Sequence, residues 1–198
     1  MIIQKPVKDY AAYVWRQGEK AREMKEKLLA ANPDRQRRFA GIFNAIKKHM
    51  IAGRPVLCLG ARTGCEVIAA ESVGFAGSVG IDLFPLSKSV IEADWHNMPF
   101  TDGAFQNVFT NSIDHCADLG RLISEIKRVM ASGGCFILVA TYGPKIATPI
   151  EQRAAKNSKE FLFWENPLEI ANEFVKHGFY IKHEAESGDN KIYILKTK

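Results

Sequence analysis

The chain of 198 residues predicts an α/β fold: a seven-stranded, mostly parallel sheet, helices on both faces, an antiparallel C-terminal hairpin and an N-terminal helical extension. Three observations carry this. From Val56 onward, short apolar runs alternate with amphipathic segments of helical length. The first run ends in a glycine turn, "VLCLGARTGCE" (56–66). The last two runs, about 179–184 and 191–196, flank "SGDN", which reads as a hairpin loop.

Residues 8–30 read as a helix with Tyr10, Tyr13, Val14, Met24, Leu28 and Leu29 buried. Asn32-Pro33 opens a second helix, since asparagine caps well and proline is pre-set for the first helical position. Phe39, Ile42, Phe43 and Ile46 recur at helical spacing, and Gly53 closes the segment. This gives an extension over 1–54, packed on a core over 55–198, in one domain. In the core, "VLCLG", "SVGID", "VIEAD" (90–94), "FQNVFT" (105–110) and "CFILVA" read as strands. Thr63 to Val73 reads as a helix, and the Thr63–Glu66 spacing is that of a capping box. Leu119, Leu122, Ile123, Ile126 and Val129 line one face of a helix over 118–130. Asn166-Pro167, with Glu169 completing a box, starts a helix that stops at Gly178.

Hydrophobic residues make up 46% and charged residues 25%, an ordinary globular balance. No apolar run approaches the ~20 residues that span a bilayer. The first ten residues lack the apolar run and cleavage site of a secretory signal, so the expectation is a soluble cytoplasmic protein. Cysteines at 58, 65, 116 and 135 form no CxxC pair and read as reduced, buried thiols, with no metal site. Net charge is +5 and uneven: residues 1–54 carry 13 Lys/Arg against 5 Asp/Glu, a local +8. Such an arm suits an acidic substrate, nucleic acid or a membrane surface. No aromatic residues interleave with its arginines as in an RNA-binding face, so a solvated helix surface is the plainer reading.

Ligands of open α/β sheets lie outside the carboxyl ends of the strands, where strand order reverses. Gly60 ends the first strand and lets a ligand approach the backbone. The free amides of the helix that follows favour a negative group. Asp82 ends the second strand, 22 residues on, where a carboxylate can accept from both ribose hydroxyls. Asp94 ends the third, suited to an exocyclic amine, with Trp95 a flat apolar wall. The fourth delivers Asn111, Ser112, Asp114 and His115, and an imidazole beside a carboxylate suits general-base work.

Together these segments resemble the class I S-adenosylmethionine-dependent methyltransferases, of the type 11 kind, over about residues 55–140. "VLCLGARTG" is similar to the family's first motif, "GSVGIDL" to its second, "EADWHNMPFTDGAF" to its third, and "FTNSIDH" through "SGGCFIL" to the stretch from fourth to fifth strand. The resemblance implies a Rossmann-like fold and S-adenosylmethionine as cofactor. It implies cofactor contacts from Gly60, Ala61, Arg62, Gly64, Asp82, Leu83, Asp94, Trp95, Asn111 and Ser112. Two residues depart from the pattern. Cys58 stands where the family usually has an acid near the methionyl end, and Arg62 replaces the middle glycine. A guanidinium at 62 can pair the cofactor's carboxylate instead.

An oxygen acceptor on a small molecule or saccharide is expected, with Asp114 or His115 as base, since no Asn-Pro-Pro-Tyr-type sequence follows the fourth strand. The acceptor site is expected between the N-terminal helices and residues 141–166, which carry Tyr142, Phe161, Phe163 and Trp164. Two other classes stay open here: a catalytically degenerate fold acting as a binding or scaffolding module, and a nicotinamide-dependent oxidoreductase. The latter's fingerprint needs glycines at 60, 62 and 65, of which only Gly60 is present.

Overall fold

A computed structural model describes residues 1–6, 9–141, 149–156 and 160–197. In chain order the strands are β1 (Ile2–Gln4), β2 (Val56–Leu59), β3 (Val79–Asp82), β4 (Val90–Glu92), β5 (Phe105–Thr110), β6 (Met130–Thr141), β7 (Leu162–Trp164), β8 (Phe179–Ser187) and β9 (Asn190–Thr197). The helices are α1 (Tyr10–Glu23), α2 (Lys25–Ala30), α3 (Asn32–Ile46), α4 (Cys65–Ser72), α5 (Leu119–Val129), α6 (Ile150–Lys156) and α7 (Pro167–Lys176).

Seven strands form one sheet in the order β4-β3-β2-β5-β6-β9-β8. The first five run parallel, and β9 and β8 close the sheet antiparallel. The α/β sheet with its C-terminal hairpin is therefore as the sequence predicts. Side-chain alternation explains the layers. Val56 and Cys58 face one way, into a cluster with Phe39, Ile42, Phe43, Val67 and Phe109, which places α3 and α4 on that face. Leu57 and Leu59 face the other, against Leu122, Ile126, Phe136 and Phe174, under α5 and α7. Each cluster is built from fully buried aliphatic and aromatic residues.

The chain moves outward from β2 to β3 and β4, then returns to place β5 on the other side of β2. The reversal lies between the carboxyl ends of β2 and β5, so Gly60 and the residues after Thr110 face a common crevice.

Several local readings differ from expectation. The long N-terminal helix is interrupted at Met24, and Leu29 is exposed because α2 buries no residue. Asn32 does not cap α3: Ala31 holds that place, and the Asn32 side chain accepts from the Cys65 thiol at 3.1 Å. The Thr63–Glu66 capping box does not form. Gly64, at φ 74°, precedes α4, the Thr63 hydroxyl meets Cys65 Sγ, and Glu66 is turned into the protein. A side chain at 64 would come within 2.7 Å of Ser89 Oγ. The third strand stops at Glu92, so Asp94 lies in the turn beyond it.

The box at α7 does form, with Asn166 and Glu169 each satisfying the other's backbone amide. Asn166→Ala is expected to lower stability by about 1 kcal/mol, the usual worth of such a cap, read as a shifted midpoint in urea unfolding. Residues 1–6 are anchored on β7 and the start of α7. β1 pairs antiparallel with β7, and the N-terminal ammonium bonds Glu169. Among the described residues no helix is long and apolar enough to cross a membrane.

Candidate active site

The crevice at the reversal opens into a cavity lined by Gly60, Arg62, Ile81, Asp82, Leu83, Ala93, Trp95, Ser112 and His115 from the sheet's rim. Its remaining wall is Tyr13, Gln17, Leu28 and Arg35, from α1, α2 and α3. Gly60 sits at φ 72°, and a Cβ there would lie 3.0 Å from Ser112 Cβ and 3.4 Å from the Trp95 ring. Only glycine keeps the crevice open at that point.

Asp82 is buried at the end of β3, and its carboxylate is worked from several sides. It accepts from the Arg62 backbone amide at 3.2 Å, from Arg62 Nε at 3.3 Å and from the Phe84 amide at 2.9 Å. Arg62 Nη2 also donates to Gln17 Oε1 at 3.3 Å. The residue replacing the middle glycine thus ties the glycine turn to β3 and to α1. A guanidinium and two amides offset the cost of burying this carboxylate.

Asp94 is engaged differently. Its carboxylate accepts from Tyr10 Oη at 2.8 Å, from the His96 amide at 2.8 Å and from His96 Nδ1 at 2.8 Å. Burial pushes this carboxyl up, but the bonds from His96 and Tyr10 outweigh it and hold the group at about 2. His96 Nε2 accepts from the Asp118 amide at 3.2 Å, which fixes Nδ1 as the protonated nitrogen. Tyr10, Asp94 and His96 therefore form a chain that fastens α1 to the turn carrying Asp114 and His115. Trp95, next along, faces the cavity.

Seven of the twelve residues named from sequence meet at the cavity: Gly60, Arg62, Asp82, Leu83, Trp95, Ser112 and His115. Ala61 is buried behind the turn, where it packs against Gly80. Gly64 shapes the start of α4, and Asn111 Oδ1 accepts from Ser112 Oγ. Asp114 Oδ2 lies 3.8 Å from His115 Nε2, and the Asp114 carbonyl accepts from the Phe161 amide. Of the aromatics expected at an acceptor site, Phe161 stands edge-on to Tyr13 at 4.6 Å between centroids, and Phe163 and Trp164 are buried in β7. Trp164 donates to the Thr141 carbonyl. Tyr142 lies outside the described residues.

Of the four lining residues of the extension, the sequence marked Tyr13 and Leu28 as buried but named none as a site residue. Tyr13 and Gln17 are one helical turn apart, a signal of a shared face, but nothing in the spacing says what that face covers. Gly18 on the same face meets Phe84, whose ring would lie 2.8 Å from a Cβ there. Burial pushes the Tyr13 phenol well up, so it stands in the cavity as a neutral group.

Residues 57–138 match a family model described as a methyltransferase domain. Over this stretch, less than half of the chain, the sequence is similar to the S-adenosylmethionine-dependent methyltransferases. Among curated relatives, a Legionella pneumophila malonyl-[acyl-carrier protein] O-methyltransferase is 41% identical over 56 residues. That match spans 28% of the chain and 19% of the relative. Among solved structures, the Haloferax volcanii protein in complex with the Trm112 methyltransferase activator superimposes with a TM-score of 0.65 at 15% identity, covering 93% of this chain and 96% of that one. Geranyl diphosphate C-methyltransferase from Streptomyces coelicolor A3(2), solved with S-adenosyl-L-homocysteine, gives 0.61 at 13% identity over 80% and 77%. At these identities the solved structures establish the shared fold.

Proposed function

We propose that this chain is an S-adenosylmethionine-dependent O-methyltransferase acting on a small hydroxyl-bearing acceptor. The observation that carries the reading is the convergence of Gly60, Asp82, Trp95 and Ser112 on one cavity at the sheet's reversal. The residues fit the cofactor. A side chain at 60 would fill the cradle, Asp82 stands at the rim for the ribose hydroxyls, and Leu83, Ala93 and the Trp95 indole offer apolar walls for a purine. Asp94 contributes from behind, because Tyr10 and His96 already hold its oxygens.

When bound, the cofactor supplies an electrophilic methyl group on a sulfonium. The protein's share is position and proton transfer. Ser112 and His115 face the cavity after β5, with Tyr13 opposite. His115 would take the hydroxyl proton as the acceptor oxygen attacks, with Asp114 as its nearby carboxylate. The Tyr13–Phe161 pair gives the acceptor an apolar, aromatic boundary. The similarity over 56 residues to a malonyl-[acyl-carrier protein] O-methyltransferase favours the same acceptor element, oxygen.

The test is a titration of S-adenosylmethionine and S-adenosylhomocysteine by calorimetry, then transfer of labelled methyl from the cofactor to a hydroxyl library. Binding in the micromolar range with transfer to oxygen is expected. His115→Ala should lower kcat about 10²-fold, within the usual share of general-base catalysis, with cofactor affinity kept. Transfer confined to nitrogen or carbon would refute the acceptor assignment. Binding without any transfer would favour the scaffolding role, for which the Arg62–Asp82 pair is the structural argument.

A further inference from the structure

S-adenosylmethionine ends in an amino acid, and a cation in the cavity would pair its carboxylate. Two arginines line it, Arg62 and Arg35. Arg62 donates to Asp82 and Gln17, which places it beside the ribose acid. Arg35 projects from the first turns of α3, and its side chain's one hydrogen bond among the described residues is to Glu66 Oε1, at a long 3.4 Å. Most of its five donors are thus uncommitted.

Glu66 is unusual for its place. It lies in the first turn of α4, is 1% exposed, and its Oε2 has no hydrogen-bond partner among the described residues. A carboxyl so placed is costly unless it serves something beyond packing. Its neighbour in β2 is Cys58, whose thiol is pushed up by burial and then by the nearness of Glu66. Cys58 stands where the family usually has an acid. Here the buried acid beside this position comes from the helix, and a cation is paired with it.

We propose that Arg35 is the binding residue for the carboxylate of the cofactor's amino-acid end, with Glu66 behind it as the positioning residue that holds the guanidinium at the cavity wall. This rests on the cavity's being the S-adenosylmethionine site. It replaces Arg62, the cation expected from sequence, with a residue of the N-terminal extension.

Two ligands separate the outcomes. S-adenosylhomocysteine carries the amino-acid end, whereas 5′-methylthioadenosine keeps adenine, ribose and sulfur without it. Arg35→Met is expected to weaken S-adenosylhomocysteine about tenfold or more and to leave 5′-methylthioadenosine within twofold; Arg35→Lys should recover part of the loss. Glu66→Leu should show the same selective loss and Glu66→Gln, which can still accept from Arg35, should not. Equal effects on both ligands, or none with Arg35→Met, would overturn the assignment while leaving the cavity's identity standing. Wild-type protein that binds neither ligand would overturn the cavity's identity, and this assignment with it. Arg35 is partly exposed, so its variants are expected to fold, and circular dichroism spectra matching wild type verify this.

Discussion

Glu66→Gln should make the protein more stable above neutral pH by about 2–3 kcal/mol, and change it much less at pH 5. Burial raises the Glu66 carboxyl from 4.5 to about 7, and the Arg35 guanidinium only partly opposes that rise. The unfolded chain releases this proton near 4.5, the native one near 7. Between the two the native state holds the extra proton, so stability falls as pH climbs through that window and levels off above it. Glutamine fills the same space, can accept from Arg35 and never ionises, so it removes the fall. Urea unfolding of both proteins at pH 5 and pH 8 measures the effect as a difference of differences. Parallel pH profiles for the two proteins would show that the carboxyl is hydrated in solution, and would weaken its role behind Arg35.

Asp82→Ala should lower affinity for S-adenosylhomocysteine about 100-fold, or about 3 kcal/mol, the scale for charged hydrogen bonds lost at a buried site. Two losses combine. The ribose loses its acceptor, and Arg62 loses the carboxylate that holds its Nε and backbone amide. The released guanidinium then stands in the cavity with Gln17 as its remaining partner among those described. In contrast with Arg35→Met, 5′-methylthioadenosine should lose affinity to the same degree, because the ribose is common to both ligands. Calorimetry with the two ligands distinguishes the acid's role from the cation's. An unchanged affinity for either ligand would remove Asp82 from the sugar.

The strand-end residues were legible in the sequence because each follows an apolar run whose period marks it as a strand. Gly60, Asp82 and Ser112 needed only that grammar and the rule placing ligands at the carboxyl ends. The partners of those residues were not legible. Asp94 reads as an open carboxylate until Tyr10, 84 residues earlier, is seen to donate to it. Arg62 reads as an unpaired cation until Asp82 and Gln17 are seen around it. The Thr63–Glu66 spacing misled for a related reason. It is a local signal, and Glu66 is instead buried beside Arg35 through a tertiary contact that the spacing does not report. At α7 the same kind of spacing gave the box it promises.

The cavity's division of labour has a consequence for how enzymes of this architecture diverge. The floor comes from the segment that carries the shared motifs, and the roof from α1, α2 and α3, which lie outside the matched stretch 57–138. Motif similarity therefore reports on what the floor holds and is silent about what fits beneath the roof. Two such proteins can agree at every strand end and still enclose differently shaped spaces, because Tyr13, Gln17, Leu28 and Arg35 close this one from helices that precede the first motif.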